Sequence, residues 1–354
     1  MPAIFPEGCD SRPARLPGTV TGHPYDRPVT SFETPPLSPA QQEVVDLLGA
    51  APDQRPVFDA ALRHELRAQL EEELAPIADD LGPDDSLWVS KHTLSSVHGC
   101  EGRYLADQDS AFAWTPALAR GTVVHKAVEL SVHWRGELVP LDLVDEAIAR
   151  LADDDKPISD WLRTSTESDR AELRSVAGER VTAFLECFPP LPTRWVPVTE
   201  GRLRADLLDG KIVLSGRTDL TLGKADGTRA GKVVIDLKTG GFSPSHTDDL
   251  RFYALVDTLR IGTPPRLLAS YYLDSARAQP EVVTEGVLRA AVARTVDGVR
   301  KLHELKGGRE PVLRPGPPCR WCPALPTCET GRRHLGDTDD VDERWDDDLD
   351  DLDE

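Results

Sequence analysis

The sequence predicts an α/β domain in which a β-sheet is flanked by helices. Two features carry that expectation. Runs with strand character at 195–207, 211–222, 232–237 and 266–273 lie among segments of helical spacing. The chain also has 354 residues and 39% hydrophobic content, enough to bury a sizeable core.

Residues 1–56 are rich in Pro, Gly and Thr and read as largely irregular, with a short helix at 39–48. Residues 57–85 form an acidic helix, with Phe58, Leu62, Leu66, Leu70 and Leu74 on one stripe and Gly82-Pro83 ending it. The main domain is expected over 86–336. A helix at 93–105 carries Cys100, Thr115 caps the segment leading into a helix at 121–134, and another helix covers 169–188. The strand runs 211–222 and 232–237 are joined by the turn-rich GKADGTRAGK, which predicts a hairpin. Helices at 247–259 and 287–305 bracket the strand at 266–273, and 307–318 is a Pro/Gly linker. Residues 337–354 read as a disordered acidic tail.

The net charge is −20, and it is unevenly spread. The tail holds twelve acids and one base, 57–85 nine acids and two bases, and 1–56 seven acids and four bases. Removing these contributions of −11, −7 and −3 leaves 86–336 at +1. Bulk charge therefore argues against coating nucleic acid, while a local groove can still receive a polyanion. No apolar run is long enough for a membrane span and no export leader is visible, so the expectation is a cytoplasmic protein without a disulfide framework. No GxxxxGK[ST] occurs, so no ATP motor is expected.

Chemistry concentrates in VVIDLKTG. On a strand, Asp236 and Lys238 point one way while Val233, Ile235 and Leu237 point the other. Asp219, in IVLSGRTDLTL, is expected opposite Leu214, Leu220 and Leu222 and beside Asp236. Two adjacent carboxylates repel unless a divalent cation lies between them. A surface ion pair between Asp236 and Lys238 is the plainer alternative. In GTVVHKAVEL, Gly121, His125 and Glu129 fall on one helix face, and imidazole with carboxylates suits Mg2+ or Mn2+. Each also has a structural reading: an interface histidine, a solvated acid and a close-packing glycine. Glu200 is either a further acid of the site or an edge-strand charge near Arg202.

The order GxxxHxxxE, GxxD (Gly216, Asp219), DxK (Asp236, Lys238) and a downstream helical tyrosine, Tyr253, resembles the PD-(D/E)xK nucleases, in particular their RecB-type branch. The resemblance covers about 86–330 and implies a restriction-endonuclease-like mixed central sheet. It implies that His125, Asp219, Asp236 and the Leu237 carbonyl are metal ligands and that Lys238 is the catalytic lysine. Tyr253 matches the tyrosine of a QxxxY motif that helps hold substrate, whereas the glutamine position is occupied here by Asp249. Arg217 and Arg251, with Arg320, Arg332 and Arg333, are candidate backbone contacts.

The segment around Cys319, Cys322 and Cys328 has the pattern C-x2-C-x5-C, and Cys100 is the candidate fourth ligand. Trp321 is expected to pack over the cluster; Cys9 and Cys187 are taken as unligated. One upstream cysteine with a terminal trio is similar to the four-cysteine iron–sulfur staple of AddB-type nucleases and CRISPR adaptation nucleases, although Cys-Glu stands here in place of their Cys-Pro. That resemblance implies a [4Fe-4S] cluster; structural Zn2+ on the same thiolates is the alternative. The expected function is a metal-dependent DNA nuclease acting on single strands or DNA ends, in repair, recombination or defence, alone or with a separate helicase or repair protein. The alternative is a nuclease-fold protein that binds DNA or such a partner without cutting.

Overall fold

The structure, a computed structural model, describes residues 36–154 and 156–336. The expectations for residues 1–35, Cys9 and the tail at 337–354 lie outside the described residues. The account below concerns the unit that begins at Leu37.

Helix α1 (Pro39–Leu48) starts where Ser38 and Gln41 cap each other reciprocally. Its last carbonyl, on Leu48, accepts a bond from the buried Arg266, and the next turn's Ala50 carbonyl accepts one from Arg55. Two guanidiniums thus satisfy the negative end of that helix. Helix α2 (Leu62–Asp80) buries Leu62, Leu66, Leu70 and Leu74 on one stripe. It packs against α10 (Glu285–Lys306), with Arg289–Glu65 at 2.9 Å and Arg300–Glu73 at 3.1 Å across the seam. This acidic segment is therefore a wall of the core, with its acids turned outward.

Six strands form one mixed sheet: β1 (Leu87–Val89), β2 (Val198–Leu207), β3 (Ile212–Leu222), β4 (Val233–Lys238), β5 (Leu267–Tyr272) and β6 (Arg277–Val282). The hairpin β3–β4 is present, in register Leu220 with Ile235. Strands β4 and β5 run parallel, joined through α9 (Ser245–Ile261). Helices α5 (Pro116–His133), α6 (Pro140–Asp153), α7 (Pro157–Thr164) and α8 (Glu167–Cys187) cover one face, where Val233, Ile235 and Leu237 share a core with Leu267, Ala269 and Tyr271. Helices α2, α9 and α10 cover the other, meeting Val234 and Leu268.

Several expectations change. The helix expected at 93–105 is two helices, α3 (Lys91–Gly99) and α4 (Glu101–Asp109), broken at Cys100, which is extended at φ −147°. The break lets the thiol leave the helix surface. Leu214 and Leu220 do not share a face: Leu214 lies in the core with α9 and α10, and Leu220 in the core with α5 and α8. Strand β3 changes face between Gly216 and Leu220: an added Cβ at Gly216 would still meet the Tyr253 ring, in the core of Leu214, at 2.4 Å. Strands β1 and β6 and helices α6 and α7 were not expected; β1 is three residues long and β6 carries Pro280, which hide their strand signals.

A candidate metal and phosphate site at a gap in the sheet

Strand β2 pairs along one edge of β3 from Ile212 to Leu222. The other edge is shared: β1 takes Ile212–Leu214 and β4 takes 220–222. Residues 215–219 of β3 therefore face an opening on that edge.

Asp219 projects from β3 and its Oδ2 accepts the Leu237 N–H at 2.7 Å, in place of further ladder pairing. His125, from α5, sets Nδ1 at 3.4 Å from Asp219 Oδ1 and Nε2 at 3.0 Å from the Leu237 carbonyl. Gly121, one turn earlier, allows this approach, since a Cβ there would stand 3.3 Å from Thr239 Oγ1. Glu200 adopts a left-handed backbone, φ 53°, where β2 passes Asp219. Among the described residues, His125, Glu200 and Asp219 bring ligand atoms within 4.8 Å of one another, a set that could hold a metal ion. Arg217 ion-pairs with Glu200 at 3.1 Å.

Asp236 and Lys238 share a face of β4, as alternation requires. Asp236 is buried, and both its oxygens face ammonium groups: Oδ1 meets Lys91 Nζ at 2.7 Å and Oδ2 meets Lys238 Nζ at 2.6 Å. The Oδ2 contact is ionic but not aligned as a hydrogen bond, so a buried carboxylate lone pair is left over. Asp249, at the glutamine position of the QxxxY resemblance, accepts from Ser95 Oγ at 2.6 Å and has Oδ2 4.0 Å from Lys238 Nζ. It therefore belongs to the lysine's surroundings.

Lys91 was not anticipated. It is the first residue of α3, where the helix dipole disfavours a cation. That unfavourable position just after the Ser90 cap is the one trace in the sequence that it is held by something else. Its ammonium also lies 4.8 Å from the Tyr253 ring centroid. Tyr253 is buried, under Gly216 and against Lys91, so its place is beneath the site and not at its mouth. Arg251, expected to touch substrate, is engaged by Glu281 through paired bonds at 2.5 and 3.0 Å, with Asp248 at 3.4 Å. Glu129, expected beside His125, instead ion-pairs with Lys126 at 2.9 Å, because Lys126 lies within reach along the same helix.

These neighbours set the protonation states. Burial opposes a charge on His125, but Asp219 overrides it and, with Asp236 and Glu200, holds the imidazole's pKa up to about 9. Burial likewise opposes ionisation of Asp236, yet Lys91 and Lys238 pull its carboxyl down to about 2. Burial also works against the charge on Lys91, but Asp236 keeps its ammonium protonated well beyond the ordinary range. Burial and the charge of Asp219 raise Glu200.

Cys100, Cys319, Cys322 and Cys328 line one cavity of about 570 Å³. The N–H groups of Arg314, Gly316 and Gly331 point at the sulfurs of Cys100, Cys319 and Cys328, at 3.5, 3.5 and 3.3 Å. A Cβ on Gly331 would stand 3.5 Å from two of these sulfurs. Trp321 is 74% exposed, so it does not cover the thiols.

The profile of the PD-(D/E)XK nuclease superfamily matches residues 89–329. Among solved structures, SSO0001 is 11% identical with a TM-score of 0.31, covering 76% of this chain and 97% of that one. A candidate exonuclease from Eubacterium rectale is 11% identical with a TM-score of 0.39, covering 78% and 92%. No curated protein matches the chain. No helix among the described residues is long and apolar enough to cross a membrane. The family match takes in the opening in the sheet, both lysines and all four cysteines, and on that match this chain belongs to the PD-(D/E)XK nuclease superfamily, whose members are phosphodiester hydrolases using divalent metals such as Mg2+.

Proposed function

We propose that this protein is a metal-dependent deoxyribonuclease, an exonuclease on single strands or DNA ends. One observation carries the reading: His125, Glu200 and Asp219 gather around the same opening that Asp236 and Lys238 enter from β4. The donor set of imidazole, carboxylates and the Leu237 carbonyl suits a hard divalent ion, and Asp236, held between Lys91 and Lys238, would join it by giving up one of those partners. When bound, Mg2+ or Mn2+ supplies Lewis acidity to the phosphate and acidifies water. The protein's part is placement. Lys238, held between Asp236 and Asp249, aims the attacking water, whose oxygen bonds to phosphorus as the bond to the leaving oxygen breaks. The family resemblance implies products with 5′-phosphates. Lys91 offers a second cation to the phosphate oxygens, a role for which Asp249 is unsuited by its charge.

The four thiols are read as ligands of a [4Fe-4S] cluster that ties α3–α4 to the chain end. Thiolates on one zinc ion stand about 3.8 Å apart, and the cysteines are not among the sets of three or more ligands within 4.8 Å found in the described residues. The open cavity and its N–H···S bonds suit a larger inorganic core than Zn2+. The protein would act alone on single strands or ends, or on strands that a separate helicase unwinds.

A second reading, a nuclease-fold protein that binds DNA or a repair partner without cutting, is favoured by the two ammonium groups already on Asp236. The test is to incubate the purified protein with end-labelled single- and double-stranded DNA and Mn2+, beside Asp236→Ala. Shortening by the wild type alone is expected; intact substrate in both tubes defeats the enzymatic reading. Brown absorbance near roughly 400 nm is expected for the cluster, and a colourless anaerobic preparation with stoichiometric zinc would replace it.

A further inference from the structure

Lys238 ends β4, and its register partner on β5 is Tyr272. The chain leaves Lys238 through Thr239, Gly240 and Gly241 and presents Phe242, whose side chain is 62% exposed. The Phe242 ring centroid is 6.1 Å from that of Tyr272. Tyr272 is itself buried; its hydroxyl meets His246 Nδ1 at 3.0 Å, and their ring centroids are 5.8 Å apart. A fixed Tyr–His wall thus stands behind an open phenyl ring. A cavity of about 420 Å³ beside it is lined by Gly240, Gly241, Asp274, Arg277 and Gln279 along with the Phe242 and Tyr272 rings. A Cβ on either glycine would meet nothing within 4 Å, so the glycines leave backbone bare without being needed for packing.

Other large aromatic rings exposed among the described residues are differently placed. Trp88 carries the Arg204 guanidinium 4.9 Å from its ring centroid, Phe112 packs edge-on to Trp114 at 5.3 Å, and Trp321 belongs to the cysteine segment. Phe242 combines an open aromatic face with an amide and a guanidinium on β6, two strands from Lys238.

Resting on the nuclease reading above, we infer that Phe242, backed by Tyr272 and His246, is a stacking shelf for one unpaired nucleobase next to the phosphate that Lys238 serves. A base inside a duplex has both faces covered by its neighbours, so only a single-stranded or extruded base can lie on the ring. Gln279 and Arg277 supply hydrogen-bond donors for the base edge or the flanking phosphate. The shelf makes single-stranded ends the preferred substrate.

The experiment uses the full chain in EDTA, so that binding is read without cleavage, with single-stranded oligodeoxynucleotides carrying 2-aminopurine at successive positions. Quenching at one position is expected, lost in Phe242→Ala and kept in Phe242→Trp. Single-strand affinity should fall about tenfold in Phe242→Ala, with blunt-duplex affinity unchanged. Replacing the quenched base by an abasic site should cost wild type about as much and Phe242→Ala nothing. Equal quenching and affinity in Phe242→Ala overturn the shelf, and if that variant still cleaves single strands normally the nuclease reading survives. Quenching without any Mn2+-dependent cleavage keeps the shelf and removes the nuclease reading. A second copy of this chain or an apolar small molecule on the phenyl ring, seen as self-association or dye binding lost in Phe242→Ala with no oligonucleotide bound, overturns the shelf as well.

Discussion

The opening in the sheet and the cysteine cavity solve opposite problems. In the opening, charges already answer one another: Asp236 faces Lys91 and Lys238, His125 faces Asp219, and Glu200 faces Arg217. An incoming ion must exchange partners with groups already paired, so occupancy there depends on competition and on pH. In the cavity, backbone N–H groups meet the sulfurs of Cys100, Cys319 and Cys328, and the Arg103 guanidinium acts on Cys322. A metal group ligated by these thiols would displace their protons and no ion-pair partner, and on the proposed reading its binding free energy would add to folding free energy. One centre is tuned by exchange, and the other is a fastening.

If that contrast holds, the largest effect comes from the fastening. Cys328→Ser should destabilise the domain by about 4–5 kcal/mol and abolish visible absorbance, read by thermal melts and spectroscopy; an unchanged melting temperature would make the cavity incidental. Asp236→Ala should come next, lowering cleavage about a thousandfold while leaving absorbance intact, which separates the two centres. Lys91→Met should lower turnover about tenfold to a hundredfold and yet reduce the Mn2+ concentration needed, because a competing cation has left Asp236; a higher requirement would show that Lys91 helps to build the site. Smaller again is the pH response. Since the His125 pKa is raised to about 9, the imidazole is protonated below that value, and an ion that ligates it must displace the proton. Affinity for Mg2+ should then climb toward a limit of about tenfold per pH unit and level off above pH 9, measured by calorimetry; Asp236, held down at about 2, contributes no step in this window. At the other end, Glu129→Ala and Arg251→Ala should change cleavage within about twofold, as exposed or locally paired charges do.

Much of the site was legible because its pieces are local. The alternation of Asp236 and Lys238 on β4, the turn spacing of Gly121 and His125 on α5 and the C-x2-C-x5-C segment each follow from chain geometry over a few residues. The hairpin GKADGTRAGK announced the pairing of β3 with β4. The face of Leu214 was misread because strict alternation was extended along β3, whose side chains change face between Gly216 and Leu220. Cys100 was placed on one helix because Gly99 and Gly102, which flank the break between α3 and α4, are each tolerated inside a helical pattern.

The sequence by itself determined which side chains are chemically capable, and in which order they occur, because residue type and short-range periodicity are properties of the local chain. Only the tertiary structure decided which charges neutralise which. Lys91 meets Asp236 across 145 residues, and Ser95 meets Asp249 across 154. Electrostatic attraction acts through space and is settled by burial and distance, neither of which is encoded in separation along the chain.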